Sequence, residues 1–169
     1  MAEGLTPTIR RAVETDFDSM WPIFRAVVAT ADTYPFPPGT TREEGFEYWF
    51  GPGATTYVAE DSGRIRGMYK IVANQRGLGS HVANASFMVD PSCSGRGIGR
   101  QMGEHCLEEA RRLGYLAMQF NFVVSTNGAA VALWQKLGFA IVGTVPKAFR
   151  HSTLGYVDTY VMYRSLAAK

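Results

Sequence analysis

Apolar residues recur at two spacings along this 169-residue chain, and the switches between them mark out its elements. Residues 7 to 13, PTIRRAV, read as a short strand. Phe17, Met20, Trp21, Phe24, Val27 and Val28 then fall at helical spacing and form one apolar face. Pro22 fits poorly inside that helix, since it lacks an N–H and its ring crowds the preceding turn; either Ser19 caps a later start or the helix kinks there. Residues 30 to 40, TADTYPFPPGT, are an extended loop in which prolines exclude helix, and the rings of Tyr34 and Phe36 need cover. A second short helix is predicted from a cap near Thr41, with acids in its first turn and Phe46, Trp49 and Phe50 along it.

Strands follow at about 55 to 60 and 65 to 73, joined by the turn DSGR, and a third at about 82 to 90. The next helix carries Ile98, Met102, Cys106, Ala110 and Leu113 on one stripe and stops at Gly114, a natural left-handed terminator. A strand at 116 to 124, a helix from about 127 to 137 ended by Gly138, and strands near 139 to 146 and 155 to 164 complete the pattern. Antiparallel strands followed by one strand–helix–strand unit imply an α/β chain (α+β mixed): one domain over residues 1 to 169, with helices on both faces of a mixed sheet.

Composition narrows the function classes. A net charge of +2, with acids and bases interleaved, gives no electrostatic footprint for nucleic acid. The longest apolar runs, such as Ala26 to Ala29, are too short to cross a bilayer, and the first residues, with Glu3, lack the apolar core of a secretory signal. Cys93 and Cys106 make neither a disulfide framework nor a metal pattern. The expectation is a cytoplasmic domain with no metal, no membrane and no nucleic-acid partner.

The stretch DPSCSGRGIGRQMG, residues 90 to 103, is where chemistry enters. Gly95, Gly97 and Gly99 lie between a strand and a helix, where the lack of Cβ lets N–H groups converge on one point beside the positive end of the helix. That arrangement suits a phosphate or pyrophosphate, with Arg96 and Arg100 adding charge. A plain tight turn has the same glycines. The dinucleotide fingerprint fails in both registers, because Arg100 and Met102 occupy the third glycine's place, and the Gly-Lys-Ser/Thr of a Walker loop is missing.

SGRGIG, followed about thirty residues later by NGAAVALWQKLGFAIVGTVP, resembles the GCN5-related N-acetyltransferase (GNAT) family. Its pattern is Arg/Gln-x-x-Gly-x-Gly/Ala and then Asn-x-x-Ala-x-x-Leu-Tyr-x-Lys-x-Gly-Phe. Gly97 and Gly99 match the first motif; Asn127, Ala130, Leu133, Lys136, Gly138 and Phe139 match the second in register. The resemblance implies a sheet of about seven strands flanked by about four helices, with the central parallel strands splayed, and acetyl-CoA as acetyl donor to an amine. It places the pyrophosphate on residues Ser94, Gly95, Arg96, Gly97, Ile98, Gly99 and Arg100. It assigns polarisation of the thioester carbonyl to the backbone amides of Phe87, Met88 and Val89, and puts Ala130 and Trp134 beside the cofactor. Two positions depart from the pattern. Ser94 replaces Arg or Gln, leaving the pyrophosphate to backbone amides. Trp134 replaces the Tyr that protonates the leaving thiolate, and indole cannot serve as that acid.

No strong base is evident. Alternation puts Asn84, Ser86, Met88 and Asp90 on one face of their strand, and Asp90, before Pro91, is expected to anchor the turn. His81, His105 and His151 show no partner in the sequence, so the amine is expected to lose its proton to water. HVANASFMVDP, FNFVVSTN and LWQKLGFAIVGTVP further resemble the fungal-type proline-analogue acetyltransferases, which acetylate L-azetidine-2-carboxylate. That resemblance implies that Asn84 and Asn121 hold the substrate and that Asn127 supports catalysis through the cofactor, and Trp134 is shared with the subfamily. A lone strand asparagine is otherwise a bulge or a satisfied hydrogen bond. The loop carrying Tyr34 and Phe36 is expected to cover a small substrate. Other small amines, amino acids, peptide N-termini and a non-catalytic CoA sensor stand as the alternatives, and a homodimer is among the assemblies common in the family.

Overall fold

In a computed structural model, which describes residues 6 to 167, the chain forms one seven-stranded sheet in the order β1-β2-β3-β4-β5-β7-β6. The strands are β1 (Thr8–Arg11), β2 (Thr55–Asp61), β3 (Arg64–Ala73), β4 (Val82–Val89), β5 (Ala117–Val124), β6 (Ala140–His151) and β7 (Gly155–Ser165). The helices are α1 (Phe17–Ala29), α2 (Arg42–Phe50), α3 (Ile98–Arg112) and α4 (Gly128–Lys136). Only β4 and β5 run parallel; every other pair is antiparallel. The mixed sheet, the element order and the four helices match the sequence reading.

Strand alternation divides the core into two layers. On one face Val58, Met68 and Met88 pack against Phe17, Met20, Ile23, Phe24 and Val28 of α1 and Trp49 of α2. On the other, Tyr57, Tyr69, Ile71 and Ala83 meet Ile98, Met102, Cys106 and Ala110 of α3, with Trp134 of α4 closing one end. Both cysteines are buried and free.

Local chemistry explains most boundaries. Thr41 begins α2 with reciprocal bonds: its Oγ accepts from the Glu44 N–H at 3.2 Å, and Glu44 Oε2 accepts from the Thr41 N–H at 2.7 Å. Gly114 and Gly138, at φ 88° and 85°, end α3 and α4 as expected. Leu113 lies beyond the last turn of α3 and is exposed, so the apolar stripe stops at Ala110.

Two expectations need correction. Of the two readings of Pro22, the later start capped by Ser19 fails, since α1 runs from Phe17 to Ala29 with Asp16 at its N-cap and Pro22 inside it. The helix gives up the bond that the missing N–H would have made, and the buried face on either side, Met20, Ile23 and Phe24, compensates. β6 also continues past Pro146 to His151. The register against β7 slips between Val145 and Phe149, so Pro146 lies in a bulge where its absent N–H costs no ladder bond. Lys147 in that bulge has φ 53° and donates its N–H to Asp158 Oδ1 at 2.9 Å.

Phe17 joins α1 to α2: it is 1% exposed and its ring meets those of Trp21, Phe46 and Phe50 at 5.3 to 6.2 Å. Phe17→Ala is expected to destabilise the protein by about 3–5 kcal/mol, read as a lower urea midpoint with an unchanged slope.

Candidate active site

The gap between the parallel strands builds the site. β4 and β5 pair only at Val82–Ala117 and Ala83–Met118; beyond those residues no rung joins them. β5 also bulges against β7 between Phe120 and Val123, which carries Asn121 and Phe122 out of regular pairing. The backbone that β4 would have spent on β5 is therefore open. The N–H of Asn74 bonds to the Val82 carbonyl and that of Asp90 to the Arg66 carbonyl, so even-numbered residues of β4 turn their backbone groups to β3 and odd-numbered ones to the gap. The carbonyl-polarising amides expected at Phe87, Met88 and Val89 thus reduce to two. Met88 faces β3; Phe87 and Val89 face the gap.

Tyr34 fills part of that gap. Its hydroxyl accepts from the Phe87 N–H at 3.0 Å and donates to the Phe87 carbonyl at 2.6 Å. Those are the two bonds a neighbouring strand would make. Burial of the hydroxyl pushes its pKa well above the ordinary value, so it stays a neutral donor and acceptor. The loop reaches Phe87 through this bond, while Phe36 stacks by Tyr34 and packs edge-on to Tyr48 at 4.8 Å.

The result is a cleft of about 240 Å³ lined by both strands, the 33 to 36 loop, Tyr48 and the start of α4. Asn84, Asn121, Asn127, Tyr34, Phe36, Phe87, Ala130 and Trp134 all line it, so the residues singled out in the sequence come together from four separate segments. None of the lining residues is acidic or basic.

The three asparagines differ in what they have left to offer. Asn84 Oδ1 accepts from the Ala85 N–H at 2.8 Å, which leaves its Nδ2 as the free donor. Asn127 caps α4, its Oδ1 accepting from the Ala130 N–H at 3.2 Å, and again the amide NH₂ remains. Asn121 is engaged at both ends, by Gln119 Nε2 at 2.9 Å and by Asn74 Oδ1 at 2.6 Å. The Asn84 amide thus keeps both Nδ2 hydrogens and one lone pair of Oδ1. Ser86, on the same face, shares a hydrogen bond with the Tyr48 hydroxyl, so that pair keeps one further O–H.

No histidine lines this cleft, and two have local partners. His105 Nδ1 bonds to the Tyr69 hydroxyl at 2.6 Å, and His151 Nδ1 accepts from the N–H groups of Thr153 and Leu154 at 3.1 and 3.3 Å. Asp90 anchors the turn: its Oδ1 accepts from the Ser92 N–H and hydroxyl at 2.9 and 2.8 Å.

At the other end of β4 the glycine loop folds into the expected cradle. Gly95 and Gly97 have φ 75° and 84°, and Gly97 is the N-cap of α3. A Cβ at Gly95 would meet no atom within 4 Å, and one at Gly97 only Gln101 Nε2 at 3.8 Å, so both edges are open to a ligand. The first N–H groups of α3, from Ile98 to Arg100, face no earlier turn of helix. These features fit a pyrophosphate, with the gap along β4 taking the arm that leads to the cleft. A Cβ at Gly99 would touch Leu133 and Val89 at 3.6 and 3.9 Å, so its side faces the packed side of the helix while its N–H is among those at the open start of α3. Ile98 is 1% exposed and has only its N–H to give. Ser94 is exposed, and Arg100 is paired with Glu104 at 2.8 Å on the surface.

The chain belongs to the Acetyltransferase (GNAT) family, whose profile matches residues 17–139. Among curated relatives it is similar to N-acetyltransferase aca1 of Schizosaccharomyces pombe, 30% identical over 79% of this chain and 72% of the relative. It is also similar to L-amino acid N-acetyltransferase AaaT of Escherichia coli, 34% identical over 67% of this chain and 69% of the relative. A solved GCN5-related N-acetyltransferase from Kribbella flavida superposes with a TM-score of 0.89 at 43% identity, covering 94% of this chain and 96% of that one. The protein is an N-acetyltransferase of this family, and two solved structures of the same fold, at 22% and 24% identity, hold acetyl-CoA. No helix among the described residues is long and apolar enough to cross a membrane, and no cluster there could hold a metal ion.

Lys70, Tyr48, Ser86, Asn74 and Gln119 were not visible as site residues in the sequence. One signal was available for Lys70. It falls at an inward-facing position of a strand covered on both faces, between Met68 and Val72, where an apolar residue is the rule.

Two predictions test the cofactor end. Gly97→Val puts a Cβ into the open cradle at a φ that side chains resist, so acetyl-CoA affinity should fall at least about tenfold, roughly 1.4 kcal/mol, by calorimetry. Unchanged affinity in the folded variant would remove the loop from the site. Trp134 is 8% exposed and packs at 4.8 Å against both Phe87 and Phe120. Its role as packing rather than acid predicts that Trp134→Phe keeps kcat within about tenfold, at a stability cost of about 1–2 kcal/mol. A fall of several orders of magnitude in kcat at unchanged KM would assign it a chemical role.

Proposed function

We propose that the enzyme acetylates a small carboxylate-bearing amine, a cyclic secondary amino acid such as L-azetidine-2-carboxylate in preference to proline, without a strong protein base. The observation that carries this reading is the composition of the cleft: small, walled by aromatic rings, free of acids and bases, and furnished with amide NH₂ groups whose oxygens each already accept a backbone N–H. Two donors, Asn84 Nδ2 and the Ser86–Tyr48 hydroxyl pair, suit a carboxylate, and neither adds a negative charge that would hold the amine protonated. The amine gives its proton to water and attacks as the neutral base. Acetyl-CoA supplies a thioester carbonyl, and the Val89 N–H, which faces the gap, is the donor for it; the Phe87 N–H is held by the Tyr34 hydroxyl.

Asn127 orients its free amide from the start of α4 at the mouth of the same cleft, in keeping with a role toward the cofactor. Asn121 acts through Asn74 and Gln119, holding the β5 bulge beside the substrate. Tyr34 and Phe36 exclude water, and the size of the cleft disfavours a peptide chain. The similarity to an L-amino acid N-acetyltransferase supports an amino-acid substrate.

Thiol release with azetidine-2-carboxylate, proline, primary amino acids and a peptide amine tests the reading. The cyclic secondary amino acids are expected to lead, and much faster acetylation of a primary or peptide amine would overturn the substrate class. Asn84→Ala is expected to lower kcat/KM by about 2–4 kcal/mol, and Asn84→Asp to do no better, since an anion there repels the carboxylate.

A further inference from the structure

We propose that Lys70 is the specificity-determining residue for a carboxylate on the substrate, holding a positive charge behind the Tyr48–Ser86 wall of the cleft. The inference rests on the small-amine reading above and adds the group that selects the anion.

Lys70 is 8% exposed, on β3, directly opposite Ser86 of β4. Directly paired residues carry their Cβ atoms about 4.5–5.5 Å apart, so the lysine stem runs beside the serine that lines the cleft. Its Nζ lies 3.3 Å from the centroid of the Tyr48 ring and donates to the Tyr48 carbonyl. Tyr48 in turn shares a hydrogen bond with Ser86, and both residues line the cleft. None of the ion pairs among the described residues includes Lys70.

A buried ammonium without an anion is costly, and a methionine would pack beside Met68 and Met88 without that cost. The site tolerates the charge because the ring face and one carbonyl offset part of the loss. What remains is a positive potential one ring's thickness behind the neutral donors of the cleft wall. In this dry setting the potential reaches into the cleft with little screening. Burial alone lowers the lysine pKa to about 8, which leaves the side chain predominantly charged at neutral pH. The acyl donor's phosphates do not answer to this charge, since their cradle lies past the far end of β4 at Gly95 and Gly97. A carboxylate accepting from Asn84 Nδ2 and the Ser86–Tyr48 pair does. The charge sits on β3 opposite Ser86, whereas the Val89 amide proposed for the acyl carbonyl lies three residues on and turns to the gap on the other side of β4, so the charge assists binding of the anion and leaves the amine neutral.

The test compares each amino acid with its carboxamide, azetidine-2-carboxylate against azetidine-2-carboxamide and proline against prolinamide, in wild type, Lys70→Met and Lys70→Gln. Wild type is expected to prefer the acids, and both variants to lose that preference at least about tenfold, mainly through KM of the acids, with the carboxamides within about twofold. Gln keeps a donor for the Tyr48 carbonyl without charge, so a lysine that only props up Tyr48 would be rescued by Gln, and that rescue overturns the proposal. So does an equal loss on acids and carboxamides, or a wild type indifferent between them. Should wild type acetylate none of these four compounds, the small-ring reading fails first. The charge is then read by competition, propionate against propionamide, on whichever amine is turned over. Stronger inhibition by propionate that vanishes in Lys70→Gln supports the assignment, and equal inhibition overturns it.

Discussion

Everything at this site follows from a hydrogen-bond ladder that stops. β4 and β5 share two rungs, at Val82–Ala117 and Ala83–Met118, and then part. A buried strand that loses its neighbour leaves N–H and C=O groups without partners, and each must find another or remain costly. Phe87 finds the Tyr34 hydroxyl; Ala85 finds the side chain of Asn84. The open edge is thus covered by a hydroxyl and a side-chain amide in place of a strand.

The same opening sets the cleft's chemistry. The side chains that close off backbone groups at the gap, Asn84 and Asn127, do so with their oxygens, and what they present outward is N–H. A site assembled this way presents side-chain donors and carries no formal charge. The aromatic packing of Phe87, Phe120, Trp134 and Phe139 fixes the walls, so the gap stays open instead of collapsing. Lys70 extends the logic one layer outward, with a charge placed where it shapes the potential and does not itself enter the cleft.

Local patterns determined much of the architecture. The period of apolar residues gave the helices and strands, the capping box at Thr41 and the terminal glycines 114 and 138 gave helix ends, and the spacing of the two motifs gave the family and its acetyl donor. The turn at Gly95 and Gly97 was legible because glycine alone adopts positive φ without strain. Local rules failed where burial overrode them. Pro22 sits inside α1 because its apolar neighbours outweigh one lost bond, and Pro146 was read as a strand end because a bulge cannot be seen without the partner strand.

The tertiary structure alone decided which backbone groups and side-chain atoms remain available. Phe87, Met88 and Val89 look equivalent along the chain, yet pairing with β3 removes Met88, because alternate residues of a strand turn their amides to opposite sides. Asn84, Asn121 and Asn127 are equally polar in the sequence. The fold gives one a bond to its neighbour's N–H, another two side-chain partners and the third a helix cap. Lys70 reads as an ordinary strand lysine until Tyr48, from a helix more than twenty residues earlier, covers it. Sequence sets periodicity and backbone preference, which are properties of neighbours along the chain. Hydrogen-bond satisfaction and desolvation belong to neighbours in space, and those exist only once the sheet and its helices have come together.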